Sequence, residues 1–196
     1  MTIKQLSFCT FLLECKGANV LINPTKSQPA DIKIFALKES PYLNYENNEG
    51  EFSVMNAGEF EVKDVFINGR KNKNENSFAY NISAEGITLG VISFTKDIEV
   101  LPEDLFETTD VLLIGAGGGT NFDPKEANKL INKLAPSIAI CFGFNEQASK
   151  DIKDSVDSIE EAKKEIHGLI ACEKSLKIDK DMVDSIDNTV VYYFNI

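Results

Sequence analysis

Hydrophobic and polar positions divide this chain into a strand-rich first half and a second half in which strands and helices alternate. Residues 111–114 (VLLI) are a short apolar run without alternation, the pattern of a strand covered on both faces. Gly115, Ala116, Gly117, Gly118 and Gly119 follow, and such a run lets the backbone take positive φ and approach its neighbours closely. Asp123, Pro124 and Glu126 predict a helix start, with aspartate as N-cap, proline at the first helical position and glutamate placed to close a capping box. Ala127, Leu130, Ile131 and Leu134 then share one helical face, and Ala135 with Pro136 ends the helix. Residues 138–142 (IAICF) form a second apolar strand. A strand–loop–helix–strand unit predicts a sheet that is at least partly parallel.

Earlier in the chain, residues 3–14 and 18–22 predict a hairpin across Lys16 and Gly17. Residues 32–36 predict a further strand, followed by a polar loop through Pro41 and the Asn/Glu cluster near Asn47. Strands are expected at 52–55 and 61–67, flanking Gly58, and residues 69–76 (GRKNKNEN) read as a solvated hairpin tip. Residues 78–82 and 87–94 pair across Glu85 and Gly86, and 101–106, opened by Pro102, is a short helix under the glycine-loop strand. Beyond the central unit, 149–166 predicts one charged helix with Ile152, Val156, Ile159, Ala162 and Ile166 inward. Residues 176–178 and 189–194 close the chain as strands. Strands first and mixed units afterwards suggest two sheets with helices outside.

Charge and residue counts narrow the chemistry. The chain has 196 residues, enough for a substantial core, and a net charge of −11. It carries no basic stripe, which argues against nucleic acid and anionic membrane as partners. No apolar run reaches the length of a membrane span, and the N-terminus lacks the charged and apolar regions of a signal peptide. Cys9, Cys15, Cys141 and Cys172 form no C-x-x-C pair and fall in or near apolar segments, as expected of buried thiols in a reducing cytoplasm. The single histidine, His167, precedes Gly168 and fits a helix C-terminus. One histidine cannot build a two-histidine zinc site, and a Ser-His-Asp triad would need this same residue. The glycine loop also fails as a nucleotide site. Thr120 stands where a dinucleotide fingerprint needs a third small residue, no Gly-Lys-Ser/Thr follows, and Asp123 would repel a phosphate at the helix start. A tight structural turn is the expected role, with a ligand loop of Gly115, Gly117, Gly118, Gly119 and Thr120 as the alternative.

Several segments together resemble the metallo-β-lactamase-fold hydrolases, and among them the branch like ascorbate-phosphate lactonases. Residues 3–14 (IKQLSFCTFLLE) are similar to that branch's opening I-T-W-L-G-H-S-C-F-L-I-E, and 20–24 (VLINP) to its I-L-I-D-P. Residues 56–65 (NAGEFEVKDV) resemble G-P-G-E-Y-E-V-K-G-V, and 110–119 resemble D-V-L-L-I-P-V-G-G-G. The resemblance covers nearly the whole chain. It implies an α+β, αββα four-layer sandwich of two mixed β-sheets with helices outside, built as a single domain over residues 1–196.

The family's metal signature, H-x-H-x-D-H, does not carry over. The matching loop has Leu37 and Glu39 at the first two histidine positions, Pro41 at the aspartate and Tyr42 at the last histidine. Phe8 replaces the opening-strand histidine, Asn23 the aspartate of the second strand, and Gly143 the histidine expected after residues 138–142. Asp97 is the one residue placed to replace the family's metal-bridging aspartate. The resemblance with these departures implies a degenerate member with no metal or other cofactor and no catalytic residues. Its partner would be another protein or a second copy of the chain. Phe8, Leu37, Glu39, Tyr42 and Gly143 are expected to converge near the sheet ends, with Leu37 and Tyr42 filling the vacated space. Two other readings stand beside it: a hydrolase with a rebuilt or metal-free site using carboxylates such as Glu39, Glu59, Asp97 and Asp123, and small-ligand binding at the glycine loop.

Overall fold

Successive residues of the central strands point into two different cores, which accounts for their unbroken apolar runs. The computed structural model describes residues 1–40, 42–73 and 75–196. The chain begins with β1 (Thr2–Gln5), β2 (Phe11–Cys15), β3 (Ala18–Ile22), β4 (Ile32–Ile34), β5 (Phe52–Val54), β6 (Gly58–Val62) and β7 (Val65–Lys71). It continues with β8 (Phe78–Ala84), β9 (Ile87–Ile92), β10 (Val111–Gly115), α1 (Pro124–Leu134), β11 (Ile138–Phe142) and α2 (Ile159–Glu165). Last come β12 (Leu169–Cys172), β13 (Ser175–Lys177), α3 (Lys180–Asp184) and β14 (Val190–Phe194).

One sheet has the order β13-β1-β2-β3-β4-β5 and the other β12-β14-β11-β10-β9-β8-β7-β6. Both are mixed. β3, β4 and β5 run parallel at one end of the first sheet, and β9, β10, β11, β14 and β12 run parallel in the second. In β10, Val111 and Leu113 join the core between the sheets, while Leu112 and Ile114 join a second core under the helices. β11 divides the same way, with Ile138, Ile140 and Phe142 inward and Ala139 and Cys141 on the helix side. Ala127, Leu130 and Ile131 of α1 and Ile159 and Ala162 of α2 complete that second core. The α+β sandwich of two mixed sheets expected from the sequence is the observed architecture.

The outer face of the six-stranded sheet has a different cover. Ile32 and Ile34 face the inter-sheet core, so Lys33 between them faces away from it, yet it is only 1% exposed. Its ammonium donates to the Glu46 carbonyl at 2.7 Å and to Glu51 Oε2 at 2.6 Å. Glu51 also accepts from the Ala30 amide at 3.0 Å and the Asn48 amide at 2.6 Å. Burial raises the Glu51 carboxyl, but Lys33 and the amide donors outweigh it and hold the group at about 2. The chain following Leu43 is thus fastened over the sheet by a buried ion pair.

Several expectations need correction. Residues 3–14 are two strands, because residues 6–10 turn back on themselves: the Leu6 amide donates to the Thr10 carbonyl at 2.8 Å and Ser7 Oγ to Thr10 Oγ1 at 2.8 Å. Residues 61–67 break at Lys63 and Asp64, whose φ values of 51° and 60° make a tight hairpin turn between β6 and β7. Gly69, Arg70 and Lys71, assigned to a solvated tip, extend β7 and pair with β8. The single helix over 149–166 is not formed. Ser158 caps α2 with a reciprocal Glu161 box, and Val156 is extended at φ −132°, so the helix starts late. Asp123 caps α1, accepting from the Glu126 amide at 2.8 Å, but the Glu126 side chain pairs with Lys129 and leaves the box half made. α2 ends at Glu165, so His167 lies exposed beyond it. The strand β12 and helix α3 gave no sequence signal strong enough to predict. All four cysteines are free, Cys9 and Cys141 buried, Cys15 and Cys172 half-buried. Among the described residues no helix is long and apolar enough to cross a membrane.

Candidate functional site

The glycine loop at the end of β10 is enclosed by neighbouring backbone and by the side chains of Asn121, Val156 and Asp157. Gly118 and Gly119 have φ of 73° and 65°, conformations only glycine adopts without strain, and they reverse the chain before the Asp123 cap. The Gly118 amide donates to the Phe122 carbonyl at 2.7 Å and the Asn121 amide to the Gly118 carbonyl at 3.0 Å. A Cβ on Gly117 would collide with the Gly143 carbonyl, and one on Gly115 with the Asn121 side chain. These glycines therefore let two backbones touch and one asparagine tuck under β10. Asn121 is 2% exposed, and its Oδ1 accepts from the Phe94 amide at 2.8 Å.

Asp157 was not singled out from the sequence, yet it bears directly on this loop. Its amide donates to the Gly117 carbonyl at 2.7 Å, and a Cβ on Gly118 would lie 2.8 Å from its Oδ2. Burial, and the negative charges of Glu161 and Asp123, push its carboxyl above the ordinary value. That carboxyl group lies against Gly118, an unfavourable neighbour for an anion at the loop. Thr120 is exposed and Gly119 lies against Val156. The local geometry is that of packing.

The structure brings Phe8 and Gly143 together. Gly143 has φ 91°, and a Cβ placed on it would lie 3.7 Å from the Phe8 ring and 3.1 Å from Asn121 Nδ2. Neutral amides dominate the surroundings. Gln147 Oε1 accepts from the Gly143 amide at 2.9 Å, and its Nε2 donates to Gln5 Oε1 at 3.1 Å and to the Phe194 carbonyl at 3.0 Å. Asn23 is fully buried at φ 49°. It accepts from the Ala36 amide at 2.8 Å and donates to Ser93 Oγ at 3.2 Å. Asn121 Nδ2 and Thr95 Oγ1 are buried without a partner among the described residues.

The other matched positions lie apart from this pair or do different work. Leu37 packs on the inter-sheet core and bridges to Ser77. Tyr42 is 65% exposed, which corrects the expectation that it fills vacated space. Tyr45, which the sequence did not flag, is the tyrosine that packs inward: its ring stacks on Phe35 at 4.8 Å and its hydroxyl donates to the Leu37 carbonyl at 3.1 Å. Burial, then the charge of Glu39, raises its phenol. Glu39 itself is exposed, and Pro41 lies outside the described residues. Asp97 caps a 3₁₀ turn by accepting from the Glu99 amide at 2.9 Å, Asp123 caps α1, and Glu59 is exposed in β6 opposite Asn68. The carboxylates proposed for acid–base work are thus each exposed or occupied as caps. Among the described residues no group of three or more His, Cys, Asp or Glu side chains is placed to hold a metal. Zinc wants three or four converging nitrogen, sulfur or carboxylate donors, and a ring, a glycine and neutral amides do not fit it.

Solved structures that resemble this one include proteins described as belonging to the metallo-β-lactamase superfamily or fold. A candidate zinc-dependent hydrolase of that superfamily from Thermotoga maritima superposes with a TM-score of 0.80 at 18% identity, covering 100% of both chains. A candidate metal-dependent hydrolase from Parabacteroides distasonis gives 0.62 at 13% identity over 96% of this chain and 91% of its own. A metallo-β-lactamase fold protein from Bacillus subtilis gives 0.62 at 9% identity, over 99% and 95%. No protein-family model and no curated protein sequence matches the chain. At these identities the likeness establishes the fold, and the chain has the metallo-β-lactamase fold.

Proposed function

We propose that this chain is a catalytically inactive version of the metallo-β-lactamase fold that works as a binding or assembly module. One observation carries the reading. At the end of β11, where the resemblance expects a histidine, Gly143 has its backbone against Gly117, with Phe8 and Asn121 beside it. A hydrolytic metal centre needs a polarised water and several converging ligands, and the residues present supply neither. Glu39, the one acidic residue left in the matched signature, is exposed and belongs to no group of three or more His, Cys, Asp or Glu side chains placed to hold a metal among the described residues. Fold alone does not decide activity, so the reading rests on the site.

The test is metal content and metal response of the purified protein. The expected outcome is no stoichiometric zinc, manganese or iron by elemental analysis, and a melting temperature that neither a chelator nor added metal moves. Mass action makes melting sensitive, since a ligand at a hundred times its dissociation constant stabilises by about 2.7 kcal/mol. A stoichiometric metal whose removal lowers the melting temperature would overturn the proposal.

A further inference from the structure

A cleft of about 380 Å³ opens next to Leu37, lined by Lys38, Asn56, Ala57, Lys71, Asn76 and Phe78. Four separate stretches of chain build it, and backbone bonds hold them together. The Phe78 amide donates to the Ala36 carbonyl at 2.8 Å, the Lys38 amide to the Asn76 carbonyl at 3.4 Å, and Lys71 stands opposite Phe78 in the β7–β8 ladder. Gly69 admits the fourth stretch, since a Cβ there would lie 3.0 Å from the Asn56 carbonyl.

Its charge runs against that of the whole molecule. The chain carries −11, yet among the described residues no Asp or Glu lines this cleft. Lys38 and Lys71 take part in none of the ion pairs found among the described residues. The nearest acidic residues in sequence are Glu39, exposed beside Lys38, and Glu75, whose Oε2 accepts from Ser77 Oγ at 2.7 Å. Asparagine side chains can add amide donors, and the Phe78 ring gives the floor an apolar surface.

We infer that this cleft binds a small organic oxyanion, a carboxylate or a phosphate monoester, through Lys38 and Lys71, with the ligand's apolar part against Phe78. The inference rests on the reading of the chain as a binding module and names the ligand class it would take. Lysine ammoniums are point charges that accept either anion, so the protein must be asked which one it prefers.

The experiment is titration of the intact protein with phenyl phosphate and, separately, with benzoate, at low and constant ionic strength, read by calorimetry and amide chemical shifts. The expected result is one-to-one binding of at least one probe. Lys38→Gln and Lys71→Gln should each weaken it about tenfold, the effect of losing one charge-assisted contact, while Lys26→Gln leaves it unchanged. Both cleft lysines are exposed, so these variants should melt with the parent, and melting curves check that. Binding of phenyl phosphate alone assigns a phosphate ligand and binding of benzoate alone a carboxylate. No binding of either probe, or binding that both variants keep at full strength, would overturn the inference. Release of phenol that both variants slow would support the cleft while overturning the inactive-fold proposal, so the two readings fail separately.

Discussion

The connection after β10 and the connection after β4 leave parallel strands in different sheets, and they are secured by a different balance of backbone and side-chain contacts. Residues 115–122 rest chiefly on backbone meeting backbone: glycines let the loop touch Gly143, amide–carbonyl bonds close it, and the Asn121 side chain adds one bond from the Phe94 amide. Residues 35–40 and 42–51 rest more on side chains, namely the Tyr45 ring and hydroxyl and the buried Lys33–Glu51 pair, beside backbone bonds such as that from the Asn44 amide to the Pro24 carbonyl, while Glu39 and Tyr42 are left exposed. The difference teaches where each connection is vulnerable. The first cannot take a side chain at Gly115 or Gly117 without displacing its neighbours, whereas the second depends on a few particular groups and leaves open surface for the lysine cleft.

The largest expected effect is on the side-chain-fastened connection. Glu51→Ala strands the Lys33 ammonium with the sheet beneath it, and breaking a buried pair in this way costs about 4 kcal/mol. Denaturant unfolding should show that loss, and Lys33→Met combined with Glu51→Leu should recover most of it. A single variant as stable as the parent would mean the pair does not hold the connection. Acid offers the same test without mutation. The Glu51 carboxyl sits at about 2 in the fold against an ordinary 4.5, so the pair's contribution is whole above 4.5 and lost as pH falls toward 2. Unfolding curves across that window should fall more steeply for the parent than for the double variant.

Next in size is the backbone-fastened connection. Gly117→Ala places a methyl into the Gly143 carbonyl and should cost about 3 kcal/mol by overpacking. Its melting temperature tests this, and an unchanged value would show the loop to be loose. A smaller effect is expected from Tyr45→Phe, about 1 kcal/mol through the lost bond to the Leu37 carbonyl. Smallest of all, Tyr42→Ala should stay within about 0.5 kcal/mol, because the ring is 65% exposed. If the two tyrosine variants exchanged magnitudes, Tyr42 and not Tyr45 would be the anchor.

The same contrast explains what could be read in advance. The central unit was legible because its signals are local: an apolar run, a glycine run, and Asp123-Pro124 at the helix start. The αββα class came from segments spread along the chain that resemble one family. The β4–β5 connection was not legible, because Lys33 gave no sign that it would be buried and Tyr45 lies in a polar stretch like any solvated loop. Asp157 was missed for a related reason: 149–166 reads as continuous helix until the Ser158 cap is weighed. At the matched positions, Phe8 lies close to Gly143, and the sequence misjudged Tyr42 because proximity in the signature does not fix which ring turns inward.

Gly143 also sets a direction for any redesign. A side chain installed there would sit on a backbone at φ 91°, a conformation that costs an ordinary residue roughly 1–2 kcal/mol, and its first carbon would lie 3.1 Å from Asn121 Nδ2. Asn121 in turn holds the Phe94 amide and lies beneath Gly115, so it cannot be exchanged without disturbing both. Grafting a histidine onto this position would therefore have to begin with the peptide path and the asparagine, passing through intermediates less stable than the starting chain. For a protein engineer, and equally for mutation one residue at a time, this end of the sandwich resists conversion to a histidine site by any single change.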